Sequence, residues 1–176
     1  MIELPDKLHN SPQLKTLDHG SIDAREFRAA CSRFPTGVTV LTVTGGDGGP
    51  HGITISSFTS VSLKPPMVLA CIDHRSRVLE HLALNVPFGL SVLSEQQREI
   101  SMQFSGAWCD RFRDVRWYPG STGVPLLFDV SALFECKAGK MVDAGDHVIV
   151  VGHVRRVASF ERRPLVYVNS SYSALL

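Results

Sequence analysis

Val38-Thr-Val-Leu-Thr-Val-Thr44, Gly45-Gly-Asp-Gly-Gly-Pro50 and His51-Gly-Ile-Thr-Ile-Ser-Ser57 stand end to end in the first third of the chain. The first alternates like a half-buried strand, the second is a turn cluster and the third returns, which predicts a β-hairpin with a loop of five or six residues. Upstream, Asp23 with Glu26 three residues on makes a capping-box-like start, and Phe27, Ala30, Cys31 and Phe34 follow at i, i+3, i+4, i+7. One short amphipathic helix is expected there, stopped by Pro35-Thr36-Gly37. Downstream the pattern predicts a strand at 67–72, a short helix around 77–84, a strand at 88–93 and a helix opening at Ser94-Glu-Gln-Gln97. A loop rich in Gly and aromatics (105–125) follows, then two long strands at about 126–138 and 147–159 separated by Gly139 and Gly145, and a last strand at 165–168. Neighbouring extended segments are joined by turns rather than helices. The fold class is therefore mainly β with a few short helices, an antiparallel sheet long enough to curl into a barrel, and a doubly wound sheet is disfavoured.

The totals agree with a single small domain. A chain of 176 residues buries roughly two thirds of the surface its unfolded form exposes, so it needs no disulfide or metal to fold. Apolar residues make up 44%, and 18 basic against 17 acidic side chains leave a net charge of +1, too little to draw in nucleic acid or anionic lipid at long range. Cys31, Cys71, Cys109 and Cys136 are far apart with no C-x-x-C pair; buried, reduced thiols and a reducing compartment are expected. No stretch approaches the roughly 18 apolar residues of a membrane span, and the protein is expected to be cytoplasmic. Residues 1–20, broken by Pro5 and Pro12, are expected to form a polar arm, with one domain over 21–176.

Within that domain, Thr54-Ile-Ser-Ser-Phe-Thr-Ser-Val-Ser-Leu-Lys-Pro-Pro66 is unusual. Thr54, Ser56, Ser57, Thr59, Ser60 and Ser62 crowd six hydroxyls into nine residues with no charge among them, where a surface loop would carry Lys, Glu or Asp. Hydroxyls and backbone N–H groups donate to phosphate and ring carbonyls without the desolvation cost of a full charge, and Phe58 and Val61 supply apolar walls. A phosphorylated, aromatic, redox-capable ligand is implied. The tetrapeptide Ala144-Gly-Asp-His147 is the second candidate: it puts a His just after a turn at the start of a long strand, where Asp146 can orient the imidazole.

Other chemistry is disfavoured. Neither G-x-G-x-x-G nor G-x-x-x-x-G-K-[ST] occurs, so a dedicated NAD domain is excluded. His147 and His153 lie about 20 Å apart if on one strand and cannot share an ion; no metal site is expected. There is no G-x-S-x-G. Arg111 and Arg113 with Trp108, Phe112, Trp117 and Tyr118 fit a solvated loop over a pocket better than a nucleic-acid patch, given the near-zero charge.

Read in order, Phe34-Pro-Thr-Gly-Val-Thr39, Thr54 to Pro66, Leu93-Ser-Glu-Gln96, Asp110-Arg-Phe112, Ala144-Gly-Asp-His147 and Pro164-Leu-Val-Tyr167 resemble the flavin reductase-like family over about residues 24–174. The resemblance implies the FMN-binding split barrel, an antiparallel Greek-key β-barrel, in a homodimer. It implies NAD(P)H:flavin oxidoreductase activity, in which NADH or NADPH reduces FMN or FAD and the reduced flavin diffuses to a partner monooxygenase. By the same resemblance Pro35, Thr36, Gly37 and Val38 border the flavin, while Thr54, Ser56, Ser57, Phe58 and Thr59 carry its ring edge and ribityl chain. His147 is the position used near the nicotinamide, with Tyr172 close to the same face. Asp73-His-Arg-Ser-Arg77 stands where relatives usually place small hydroxyl residues for the flavin phosphate; Ser76 with Arg77, or Arg75, is expected to take that role. Asn169-Ser-Ser171 replaces the Gly and Arg of many relatives. Two other uses of the fold stay open, a flavin-retaining oxidase or oxygenase acting on a small organic substrate and a non-enzymatic flavin-binding protein.

Overall fold

The computed structural model describes residues 22–106 and 110–173; the expected arm, Trp108 and Cys109 lie outside them. In chain order the elements are α1 (Ala24–Cys31), β1 (Thr36–Gly37), β2 (Thr39–Thr44), β3 (Pro50–Ile55), β4 (Thr59–Leu63) and β5 (Pro66–Asp73). A 3-10 helix (Arg77–His81), β6 (Pro87–Val92), α2 (Arg98–Ser105), β7 (Trp117–Pro119), β8 (Pro125–Leu127) and β9 (Ala132–Ala144) come next, then β10 (His147–Ser159), β11 (Val166–Val168) and β12 (Ser171–Ser173). Seven strands form one sheet in the order β3-β2-β6-β9-β10-β5-β4, and every pairing in it is antiparallel. The β9–β10 hairpin is inserted between β5 and β6, which gives the sheet its Greek-key crossing. The expected mainly β barrel with short helices is the fold found.

Alternation along these strands fills two cores. Leu41, Val43, Ile72, Phe88, Leu90 and Val150 line the barrel interior, and Val40, Leu93, Phe104, Leu127 and Leu165 pack a second cluster between the sheet, α2 and the C-terminal hairpin. Fully buried side chains of this kind contribute about 1.5–3 kcal/mol each relative to exposure.

Several boundaries differ from expectation, each for a local reason. The single strand expected at 126–138 is two, β8 and the start of β9, because Asp129 between them takes a left-handed φ of 61°. Gly139 does not end β9. Val151 pairs with Lys140 and Gly152 with Ala138, so Gly139 is the extra residue of a β-bulge, and the His153 ring lies so close that a Cβ there would come within 2.5 Å of it. The helix expected from Ser94 begins at Arg98; the Ser94 N–H does donate to Gln97 Oε1 at 3.0 Å, but as part of the preceding turn. The helix expected around 77–84 is the 3-10 helix, which ends at His81. β4 and β12 were not expected at all.

α1 keeps its cap, the Arg25 N–H donating to Asp23 Oδ1 at 2.7 Å, yet stops at Cys31, short of Phe34. Its apolar side is uncovered, with Phe27 59% and Phe34 74% exposed. Cys31 is exposed with it and Cys71 is half-buried, so among the described residues burial of the thiols holds only for Cys136, whose pKa desolvation and the neighbouring Glu135 push up to about 12.

β11 and β12 are joined by Asn169 and Ser170 at φ 52° and 57°, a two-residue turn that needs left-handed backbone at both positions. Asn tolerates that region; Ser does not do so freely. Ser170→Gly is therefore expected to raise stability by about 0.5–1 kcal/mol, read as a rise of roughly 2–3 °C in thermal denaturation followed by circular dichroism.

Candidate active site

β3 and β4 are the two edges of the seven-stranded sheet, and no ladder among the described residues joins β3 to β5. The chain crosses that gap in residues 56–58. There Ser57 does what a neighbouring strand would do: its Oγ–H donates to Cys71 O at 3.0 Å and its Oγ accepts from the Cys71 N–H at 2.9 Å. Phe58 folds inward onto Phe134, ring centroids 5.3 Å apart. Because Thr39 pairs with Ile55, residues 35–38 enter the sheet at the end where residues 56–58 leave it.

Across the gap His147 opens β10, two residues after Gly145 at φ 67°, and pairs with Asp73 of β5. A cavity of about 230 Å³ lies between the banks, lined by residues 53–57, residues 71–73 and His147. The structure thus brings the hydroxyl run and the Gly-Asp-His turn to one slot. Asp146 Oδ1 is 2.6 Å from His147 Nδ1, which fixes the ring and holds the Asp146 carboxyl below its ordinary pKa, chiefly through that hydrogen bond.

A second cavity of about 210 Å³ shares Ile53 with the first and continues along the seam past Ser76, Arg77 and Arg111. Arg75 borders it but is not available: its guanidinium holds Asp73 through Nε at 3.0 Å and Nη2 at 2.6 Å, and these bonds keep Asp73 far below the usual carboxylate range. Arg77 has no carboxylate partner among the described residues. Ser76 Oγ is buried without a hydrogen-bond partner among the described residues, and so is Arg111 Nε. Arg111 donates to Gly52 O at 2.9 Å and Gly106 O at 2.8 Å; burial first, and the nearby Arg77 charge second, lower its pKa.

The other expected residues divide. Ser56 and Thr59 are exposed. Thr54 points the other way, donating to Ser101 O of α2 at 2.8 Å. Its hydroxyl proton and that of Ser57 are both committed to backbone carbonyls, so the run contributes fewer free donors than its composition suggests. Val38 is 2% exposed, its N–H bonded to Leu165 O and its C=O to the Leu93 N–H. It is a core residue with no surface for a ligand. Pro35 and Gly37 are exposed and Thr36 half-buried; a Cβ on Gly37 would meet nothing within 4 Å among the described residues. Tyr172 lines a different cavity from His147, beside Arg98 and Tyr167, and reaches Thr54 only through Ser101, whose Oγ is 2.9 Å from the Tyr172 hydroxyl. Arg111 is the site residue that the reading of the loop missed. Its motif, Asp110-Arg-Phe112, was visible; that its guanidinium turns into the seam was not.

Residues 31–176 match the flavin reductase like domain. The chain is 44% identical over 160 residues to a flavin reductase (NADH) of Kitasatospora aureofaciens, covering 88% of this chain and 83% of that protein. It is 34% identical over 157 residues to the flavin-dependent monooxygenase reductase subunit HsaB of Mycobacterium tuberculosis, covering 88% and 83%. The solved NADH:FAD oxidoreductase SgcE6 of Streptomyces globisporus C-1027, in complex with NAD and FAD fragments, superimposes with a TM-score of 0.83 at 34% identity, covering 88% of this chain and 93% of that one. The chain belongs to the flavin reductase-like family, and its fold is that family's split barrel.

If Ser57 closes the seam, removing its hydroxyl leaves the Cys71 N–H and C=O without their partner. Ser57→Ala should cost about 1–3 kcal/mol of stability by chemical denaturation and weaken flavin binding more than a Ser60→Ala control on the exposed β4 edge, measured by fluorescence titration.

Proposed function

We propose that this chain is an NAD(P)H:flavin oxidoreductase that passes reduced FMN or FAD to a separate monooxygenase. The observation that carries the reading is the continuity of the seam: a slot between hydroxyl-bearing and apolar walls runs into a pocket lined by Arg75, Arg77 and Arg111, with a buried Ser76 hydroxyl that has no partner among the described residues. Such a groove suits a flat ring with a phosphorylated tail. It suits a bare apolar substrate poorly.

A flavin, when bound, supplies the redox chemistry by accepting a hydride from reduced nicotinamide; the protein's share is alignment and exclusion of water. Residues 53–57 and 71–73 flank the ring, with the half-buried Ile53 as an apolar wall. Ser76 and Arg77 hold the phosphate. Thr36, Gly37, Ser56 and Thr59 border the slot from the open side, where a backbone without a Cβ at Gly37 permits close approach. His147, its Nδ1 fixed by Asp146, positions the nicotinamide of NADH or NADPH at the slot's edge, and Tyr172 steadies the same end of the site through Ser101 and Thr54. No side chain is required as a general acid or base.

The working form is a homodimer, supported by the family and by the uncovered apolar side of α1, where Ile22, Phe27 and Phe34 face outward. Among the described residues no helix is long and apolar enough to cross a membrane, and a cytoplasmic setting, where both nicotinamides are at hand, fits this role.

The test is absorbance at 340 nm with NADH or NADPH and FMN or FAD in four combinations. Turnover of free flavin is expected in at least one; no consumption in any refutes the reading. In the productive combination, His147→Ala should raise the nicotinamide KM several-fold and leave flavin affinity nearly unchanged. An equal loss of both would remove His147 from this role.

A further inference from the structure

We infer that His51 and His81 form a proton-sensitive clasp, which ties the segment carrying Ser76 and Arg77 to β3 at neutral pH and releases it in acid. Its consequence for flavin rests on the proposed function; the clasp itself does not. The two rings stack with centroids 4.0 Å apart and planes tilted by 36°. His51 belongs to β3, and His81 ends the 3-10 helix that follows β5. The contact therefore spans the seam that no ladder closes among the described residues. It lies at the opposite end of β3 from Ser57, since His51 pairs with Val43 and Ile55 with Thr39. Ser76 and Arg77 stand at the start of the same 3-10 helix, so the stack sets their distance from β3.

The groups around the rings suit one proton and not two. His51 Nε2 is 3.7 Å from Asp47 Oδ1, and the Gly49 N–H is the chief cause that holds the Asp47 carboxyl below its ordinary pKa, so a proton on His51 meets a carboxylate. That pairing needs a glycine at 45, where a Cβ would come within 2.5 Å of Asp47 Oδ1 and 2.6 Å of His51 Nε2. A cation over the face of a neutral ring is also favourable. A second proton, on His81, finds no such partner: among the described residues neither its exposed neighbour Glu80 nor Asp110 across the cavity forms an ion pair with either ring.

The other charges that line the cavity with His51 are Arg75, Arg77 and Arg111, and of these only Arg75 is neutralised, by Asp73. Two further cations held 4.0 Å apart repel each other, and histidine is the side chain that changes charge between about pH 5 and 8. Separating the rings relieves the repulsion, so acid favours the open arrangement. Val78 and Leu82, 2% and 4% exposed, keep the 3-10 helix rooted in the barrel core, which limits opening to a shift of that helix.

The experiment is a double-mutant cycle of His51→Ala and His81→Ala, read as unfolding equilibrium constants by chemical denaturation at about pH 7.5 and 5.5. At the higher pH the coupling should stabilise the protein by a factor of about two to ten; at the lower it should vanish or reverse. Hydrogen exchange locates the change. Protection of the Leu79 and Leu82 amides, bonded to Ser76 O and Leu79 O, should fall about three- to tenfold in acid after correction for intrinsic rates. In His81→Phe, which keeps a ring and loses the charge, it should stay constant, as should the Leu93 amide, bonded to Val38 O, in both proteins. At the higher pH His81→Ala should weaken FMN binding several-fold by fluorescence titration, and His81→Phe should restore it. A coupling that is the same at both pH values, or a loss of protection shared by Leu93, overturns the clasp; FMN affinity unmoved by His81→Ala overturns its link to the site. If an alanine variant fails to fold, exchange in the wild type and His81→Phe decides. None of these readouts needs turnover, so failure to oxidise NADH or NADPH with every flavin is the separate failure of the functional reading.

Discussion

One serine hydroxyl takes the place of a strand pairing, and the site exists because it does. A closed barrel satisfies every backbone group and leaves no edge, but it also leaves no slot. Here β3 and β5 stay unladdered, and Ser57 gives the Cys71 N–H an acceptor and the Cys71 C=O a donor. Serine can do this because its oxygen is donor and acceptor at once; an amide would need two atoms and alanine has neither. The backbone at the seam is thereby satisfied without a strand being drawn across the opening.

Charge is handled by the same local logic. With a net charge of +1 the molecule has little field at a distance, so selection for an anionic ligand has to come from short-range geometry. Arg75 is neutralised at Asp73 and Arg162 at Asp129, both on the surface, where such pairs contribute little. Glu135 is 6% exposed and shows how the fold treats a buried charge with a structural task. Burial works to raise its pKa, but donors from Ser121 and Thr122 outweigh that and keep it low. Arg111 is held differently: two backbone carbonyls fix its terminal nitrogens, and no carboxylate pairs with it among the described residues.

Much of the fold was legible because it rests on period and punctuation. The alternation of β5 and of the first half of β10 survives as alternating burial, while β2 and β6 are buried on both faces because each side packs one of the two cores. β4 was hidden because its residues are nearly all exposed, so no apolar face advertised it and its serines were taken for ligand donors. Gly139 was misplaced because a bulge and a strand end use the same residue. At the site, the kind of residue was legible and its direction was not. Thr54 and Ser57 sit where the hydroxyl run placed them, but their protons answer to Ser101 and Cys71. Val38 follows the exposed Pro35 and Gly37, yet its side chain lies in the core. Arg111 comes from a loop 59 residues beyond its partner Gly52, a contact that only the tertiary fold makes.

The two halves of the site are tied by a closed circuit of contacts. Thr54 of β3 bonds Ser101 of α2, Ser101 meets Tyr172 of β12, and Tyr172 stands edge-on to Tyr167 of β11 at 5.3 Å. Tyr167 pairs with Thr36 of β1, and β2, a residue further on, pairs back onto β3. Each polar link is worth only about 0.5–1.5 kcal/mol, so the circuit matters less for stability than for spacing: it sets the distance between residues 35–38 and 54–57. The strained turn at Asn169 and Ser170 is what folds β12 back onto β11 and so brings Tyr172 into that circuit. A protein that supplies alignment in place of an acid or a base depends on such spacing, because small displacements of stacked rings forfeit most of what proximity provides.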